Sequence, residues 1–189
     1  MTSRASILVV AATSRELATP EGWRTLQCGV GPIEAAARTA GEIARERPSC
    51  ILHVGIAGGR RHAAFAPTTL VIGSESRYCD LAARSTWAPG VVPVAASLID
   101  AARRACPDAV VTPIGTSAQV GGTNGCDVEA MEGFGVLRAA EIAGIPAIEV
   151  RAISNEIEED DRARWHFAAA FEAVTAATPR LVAELLLAL

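Results

Sequence analysis

Lysine is absent: all 17 basic residues among the 189 are arginine. That removes Schiff-base catalysis and the phosphate-cradling loop that ends in Gly-Lys. The five cysteines, Cys28, Cys50, Cys79, Cys106 and Cys126, are odd in number, widely spaced and without a C-x-x-C pair. Such a set argues against a disulfide framework or a zinc site and suits a reducing cytoplasm. No apolar run approaches the roughly 18 residues of a membrane span. No block of like charge occurs and the net charge is −4, so neither a nucleic-acid nor a membrane surface is expected. The apolar stretch Ile7 to Ala12 is too short for an export signal and runs straight into Arg15 and Glu16. Internal repeats, low-complexity tracts and linkers are also missing. What is present is 50% apolar residues and a mean hydropathy of +0.29, which predicts one globular domain over residues 1–189 with a small-molecule partner.

Ile7 to Ala12 (ILVVAA) is a continuous, β-branched apolar run, as expected of a strand buried on both faces. Trp23 to Val30 predicts a second strand. Pro32 to Arg47 predicts a helix, with proline in its first turn and apolar or alanine residues at 33, 36, 37, 40, 43 and 44. Further strands are predicted over Cys50 to Val54, Thr68 to Ile72, Ala109 to Ile114 and Ala147 to Ile153. Helices are predicted over Ala95 to Cys106, Asp127 to Ala143, and Arg162 to Leu189, the last as either one helix or two broken before Pro179. Strands alternating with helices imply an α/β fold with a mixed, largely parallel central sheet flanked by helices. Ligands of such sheets sit at the carboxyl ends of strands, so the residues just after Ala12, Val54, Ile114 and Ile153 are the first candidates.

Several groups there could carry chemistry, and each also has a plainer explanation. Glu16, four residues beyond the first strand, could activate water; a solvated glutamate at a helix start would look the same. Gly29-Val30-Gly31 lacks the third glycine and the acidic partner of a dinucleotide fingerprint, and a tight turn explains it. Gly55-Ile56-Ala57-Gly58-Gly59 would let a ligand approach the backbone closely, or would simply turn the chain. Met131-Glu132 places a carboxylate where it could accept from vicinal hydroxyls, or on an exposed helix face. Asn155 after Ser154 could donate to one ligand atom and accept from another, or cap a helix. His53 lies inside an apolar strand, while His62 and His166 have charged neighbours; none is a good catalytic candidate. Trp165, Phe167 and Phe171 are most simply core packing for the last helix, and the acidic run Glu156 to Asp161 a solvated loop.

The order of these blocks is more informative than any one of them. ILVVAATSRE, GVGPIEAA, HVGIAGG and VEAMEGFGVLRAAEIAGIPAIEVRAISN, in that sequence, resemble the purine nucleoside phosphorylase and nucleosidase superfamily from about residue 5 to the C-terminus. Within it the chain resembles the methylthioadenosine/adenosylhomocysteine nucleosidases and, over the last block, most closely the futalosine hydrolases of menaquinone biosynthesis. The resemblance implies the three-layer phosphorylase/hydrolase-like fold, no cofactor or metal, a purine nucleoside as ligand, and a homodimer or larger homo-oligomer. It places Glu16 on the water-activating glutamate and Glu132 on the ribose-binding glutamate. Met131 falls on the methionine against the sugar, Ala57 and Gly58 on the backbone lining the pocket, and Asn155 on the side chain that meets purine N7.

An N-glycosidic bond breaks through an oxocarbenium-like transition state, with positive charge on the ribose and negative charge on the departing base. A carboxylate can take the proton of attacking water, and a second can bind the 2′ and 3′ hydroxyls. Asparagine at N7 cannot protonate it but can donate to N7 and a 6-oxo group, which favours hypoxanthine over adenine. The segment from Ser117 to Asp127 is shorter than the family's, Glu34 replaces an asparagine, and Arg60-Arg61 stands where the nucleosidases are apolar. Those arginines could hold an anion or be exposed. The rivals are a phosphate-dependent phosphorylase, an adenine-releasing nucleosidase, and a non-catalytic purine or dinucleotide binder.

Overall fold

The computed structural model describes residues 5–81, 89–123 and 125–189. The first apolar run forms β1 (Ile7–Ala11), every residue of which is buried. It lies parallel to β2 (Arg24–Gln27) on one side and to β3 (Cys50–Gly59) on the other. The connection from β2 to β3 is carried by α1 (Pro32–Arg45). Beyond them lie β4 (Leu70–Tyr78), β5 (Val91–Pro93), α2 (Ala96–Ala105), β6 (Val110–Thr116), β7 (Val128–Ala130), α3 (Gly133–Ile142), β8 (Ala147–Glu156) and α4 (Phe167–Leu187).

The strand order is β2-β1-β3-β7-β6-β4-β5, and β8 pairs with both β3 and β4. The path therefore closes: β3, β8, β4, β6 and β7 form a five-stranded ring. Each strand of the ring contributes to one small apolar cluster, Ala57, Val71, Ile114, Val128, Ala130 and Ile153. The main core lies between the sheet and its helices, α1 packing on α3 and α2 on α4. Five of the eight strand pairings are parallel, as the alternation of elements predicts.

Three departures from the sequence reading, and one alternative it left open, matter for the site. The segment expected to be one helix from Asp127 to Ala143 is split: Val128–Ala130 is a buried strand, and α3 starts only at Gly133. Closing the ring between β3 and β6 outweighs the local helical pattern, and it leaves Glu132 at the strand-to-helix junction. β3 and β8 run beyond their apolar cores, so Gly55 to Gly59 and Ser154-Asn155 are strand residues, neither a turn nor a helix cap. α4 continues through Pro179 without a break; Thr178 Oγ1 donates to Val174 O at 2.9 Å inside the helix. Finally, β5 pairs antiparallel with β4 where no strand was expected.

Candidate active site

Just past β1 the chain makes a single 3₁₀ turn, Ser14–Glu16, which bends the Glu16 side chain back over the sheet. Glu16 is 4% exposed. Its Oε2 accepts from the Thr13 N–H and the Thr13 hydroxyl, both at 2.8 Å, and its Oε1 accepts from the Ile56 N–H at 3.3 Å. Three donors, two from Thr13 just past β1 and one from Ile56 within β3, thus hold one carboxylate.

Glu132 is equally buried, at 5% exposure. Its Oε1 accepts from Gly31 N–H at 3.1 Å. Gly31 adopts φ +93°, open to glycine, so the G-V-G segment is a tight turn whose amide faces a carboxylate rather than a pyrophosphate. Burial pushes the Glu132 carboxyl above its ordinary value, and the nearby Arg151 guanidinium offsets part of that rise.

Arg151 is the cation beneath the site, 1% exposed. Its Nε donates to Glu149 Oε1 at 2.7 Å, and its Nη2 lies 3.4 Å from Glu132 Oε2 and against His53 Nε2. Burial alone would lower this guanidinium's proton affinity, but Glu149, Glu132 and Glu16 together raise it. His53 is held well below its ordinary value by burial and by Arg151, so it is neutral. The 3.0 Å contact of its Nδ1 with Val10 O puts the ring proton there and leaves Nε2 to accept from Arg151. Two glycines make room for this network. A Cβ at Gly55 would overlap Arg151 Nη1 and come within 2.9 Å of Glu16 Oε1; one at Gly133 would overlap the Glu149 carboxylate.

Asn155 reaches the same place from β8 through a bulge. Ala57 pairs with Ile153 and Gly58 with Asn155, leaving Ser154 as the extra residue. A Cβ at Gly58 would come within 3.2 Å of Asn155 Nδ2, so the glycine lets the amide lie over β3. Asn155 Nδ2 donates to Glu156 O at 2.9 Å, and Ser154 Oγ donates to Asn155 Oδ1 at 2.8 Å. One N–H of the amide is therefore already engaged and one is left, where the sequence reading has both donating to a base.

Glu16, Ala57, Gly58, Met131, Glu132 and Asn155 all line a single cavity of about 660 Å³. Trp165, Phe167 and Phe171, expected in the core, instead form its half-buried aromatic wall beside Arg162. The i, i+4 spacing of Phe167 and Phe171 suits a cavity-facing helix stripe as well as a core stripe. Glu129, not singled out in the sequence, also lines the cavity. Its Oε2 accepts from Thr123 N–H at 3.0 Å and from Thr123 Oγ1 at 2.8 Å, and its Oε1 from Gly121 N–H at 2.5 Å, fastening the short 117–123 segment. Arg60 and Arg61 are not among the residues lining the cavity; they pair with Glu158 and Glu156 of the acidic run at 3.4 and 2.7 Å. Glu34 pairs with Arg38 on the surface of α1.

Other chemistries find little support. Cys28 lies close enough to feel Glu132 and Glu16, yet burial first and those charges second push its thiol up to about 12; it offers no thiolate nucleophile. All five cysteines are free. Among the described residues no cluster of His, Cys, Asp and Glu is arranged to hold a metal ion, and no helix is long and apolar enough to cross a membrane.

Comparison with known proteins shows the family to which the chain belongs. The futalosine hydrolase of Streptomyces coelicolor is 36% identical over 193 residues, spanning 86% of this chain and 79% of that protein. The futalosine hydrolase of Helicobacter pylori strain 26695 superposes with a TM-score of 0.84 at 13% identity, covering 96% of this chain and 98% of that one. The methylthioadenosine/adenosylhomocysteine nucleosidase of Colwellia psychrerythraea 34H, solved with adenine, gives 0.82 at 19% identity, covering 99% and 96%. Residues 25–189 match the Phosphorylase superfamily, and the chain belongs to it.

Proposed function

We propose that the chain is a hydrolase of purine nucleosides that cleaves the N-glycosidic bond of futalosine to release hypoxanthine. One observation carries the reading: two carboxylates and one amide, delivered by β1, the β7–α3 junction and β8, meet in a single cavity. In this reading the sugar lies between Glu16 and Glu132. Glu132 accepts from the 2′ and 3′ hydroxyls and places negative charge beside the developing oxocarbenium. Glu16, already held by three donors, takes the proton of the attacking water, a contribution of about 10² to 10⁴ in rate. The remaining Asn155 N–H is shared between N7 and the 6-oxo oxygen of the base, stabilising the charge that builds on the leaving group. Adenine would set its amino group against that donor.

The 36% identity to a futalosine hydrolase supports the substrate, and water is preferred to phosphate as nucleophile because Glu16 lines the cavity while Arg60 and Arg61 are engaged with Glu158 and Glu156. A homodimer or larger homo-oligomer in the cytoplasm completes the proposal. Exposed Val30 at the cavity and Ile33 beside it, at 57% and 81% exposure, suit a subunit contact there. The test is incubation with futalosine, inosine, methylthioadenosine and adenosylhomocysteine, with and without phosphate, resolving free base by chromatography. Hypoxanthine from futalosine without phosphate is expected. Strict dependence on phosphate, or release of adenine alone, overturns the reading.

A further inference from the structure

The segment between β6 and β7 borders the cavity without a core of its own. Its Ala118 and Val120 line the cavity yet are exposed, and no apolar side chain of residues 117–123 is buried. Hydrophobic burial therefore does not hold it in place. Charged side chains do. Asp80, just past β4, accepts from Ser117 Oγ and from Ala118 N–H, both at 2.7 Å. Glu129 turns both carboxylate oxygens to the far end, where they take the N–H groups of Gly121 and Thr123 and the Thr123 hydroxyl. Arg60 donates from Nη2 to Thr123 O and from Nη1 to Glu158 Oε1 at 3.4 Å. Because Arg60 directly follows β3, its fork ties the segment to the acidic run that follows Asn155.

The strand register shows what lies between the two tied flanks. Gly58 of β3 pairs with Glu129 of β7 on one side and with Asn155 of β8 on the other. Residues paired across strands share a face, and all three line the cavity. The middle of this row has no side chain, so Glu129 and Asn155 flank an open slot two strand spacings wide, roughly 10 Å. With Asn155 at N7 and the 6-oxo oxygen, the opposite edge of a purine lying over Gly58 carries N3 and C2. That edge points to Glu129 and to the segment it holds. Three donors from the segment already engage the Glu129 carboxylate, so a group on C2 meets a fixed wall.

We propose that Glu129 and Arg60 are positioning residues that set the width of this slot, holding the 117–123 segment against the C2 edge of the base so that a substituent there is excluded. Both act through the segment and not on the reacting atoms. The proposal rests on the nucleosidase reading and adds a base specificity to it. Hypoxanthine, with hydrogen at C2, fits the slot; guanine, with an amino group there, does not.

The test measures kcat and KM for futalosine, inosine, guanosine and N2-methylguanosine on the wild type, Glu129→Ala, Glu129→Gln, Arg60→Ala and Glu184→Gln. The last removes the ion pair of Glu184 with Arg104, at 2.8 Å between α4 and α2, and is the purely structural control. In the wild type kcat/KM for inosine should exceed that for guanosine by about 10-fold or more, the scale of an overpacked contact, and N2-methylguanosine should be poorer still. In Glu129→Ala the ratio should fall to near one, with KM for inosine rising more than kcat falls. Arg60→Ala should fall part of the way, as should Glu129→Gln, whose amide keeps one acceptor oxygen for the segment. Glu184→Gln should keep the wild-type ratio, since lost stability alone weakens every substrate alike. A wild type that takes guanosine as readily as inosine overturns the proposal, as does a ratio unchanged in Glu129→Ala or, if that variant does not fold, in Arg60→Ala. Absence of free base from all four nucleosides refutes the nucleosidase reading instead. Dissociation constants of hypoxanthine and guanine on the same variants, measured by calorimetry, give the same ratio without turnover and decide the slot independently.

Discussion

Replacing Gly55 with alanine tests the buried network with one methyl group. The new Cβ would overlap Arg151 Nη1 and sit 2.9 Å from Glu16 Oε1. Arg151 has little room to yield, because Glu149 holds its Nε and His53 its Nη2. Two costs compete. If the network stays, the overpacked methyl costs about 1–3 kcal/mol. If Arg151 swings away, Glu149 and Glu132 stay buried without their counter-charge, at about 3–5 kcal/mol. The loss should therefore be a few kcal/mol, and in a chain of this size 3–5 kcal/mol lowers the melting temperature by roughly 6–20 °C. Displacing Glu16 should also cut kcat by at least about 10²-fold, the lower bound for a general base. Gly41→Ala is the matched control: Gly41 is exposed within α1 with nothing within 4 Å of its Cβ position, and the change should stabilise by about 0.5–1 kcal/mol through helix propensity. Thermal denaturation followed by circular dichroism, with base release on the same samples, measures both. Wild-type stability and turnover in Gly55→Ala would refute the packing of Arg151 and Glu16 around that glycine.

Three further outcomes follow from the same residues. Because the folded protein raises the Glu132 carboxyl above its ordinary 4.5, it binds that proton more tightly than the unfolded chain does. The associated stability is full below about 4.5 and lost as pH rises through the raised value. Glu132→Gln should therefore gain stability relative to wild type as pH climbs towards neutrality, measured by urea denaturation across pH, while losing activity; a stability of the variant minus that of the wild type that falls as pH rises contradicts the sign. Asn155→Asp should shift kcat/KM from 6-oxopurine towards 6-aminopurine nucleosides by about 10-fold or more, since a carboxyl can accept from the exocyclic amine; an unchanged ratio of hypoxanthine to adenine release rejects the role given to the amide. Glu149→Gln removes one of the charges that raise the Glu132 carboxyl, so the acidic limb of the pH profile of kcat/KM should move to lower pH, and an upward move refutes the coupling.

Much of this site was legible before any coordinates. The uninterrupted β-branched run of β1 identifies a strand buried on both faces, and the carboxyl-end rule then leads to Glu16 and, at the end of β8, to Asn155. The junction at Glu132 was not legible as such, because β7 is three residues long and exists only by pairing with β3 and β6. A partner strand supplies that stability, and no local period records it. Arg151 and Glu149 did leave a signal: opposite charges two residues apart share one face of a strand that otherwise reads as apolar, which is how a buried ion pair should look. His53, an isolated imidazole amid CILHV, is the third part of the same signal. The aromatic wall is a different case, since rings at 167 and 171 are equally spaced whether the stripe meets a core or a cavity.

The charge arrangement explains why a site of this kind should be costly to fold and useful to occupy. Glu16, Glu132 and Glu149 surround one guanidinium, and the adjacent imidazole is neutral. The described cluster thus has more acid than base in a place where water cannot offset it. That excess is unfavourable: burial raises the Glu132 carboxyl first, Arg151 offsets part of the rise, and the Glu16 and Glu149 charges add to it. Under the proposed chemistry a neutral nucleoside does nothing to relieve it. Positive charge appears on the sugar only as the glycosidic bond stretches, and only then does the excess find a partner. An interaction that is weak in the ground state and strong at the transition state raises kcat rather than tightening substrate binding. The burial that costs stability near neutral pH is on this account the source of the catalysis, and the two should change together in Glu132→Gln.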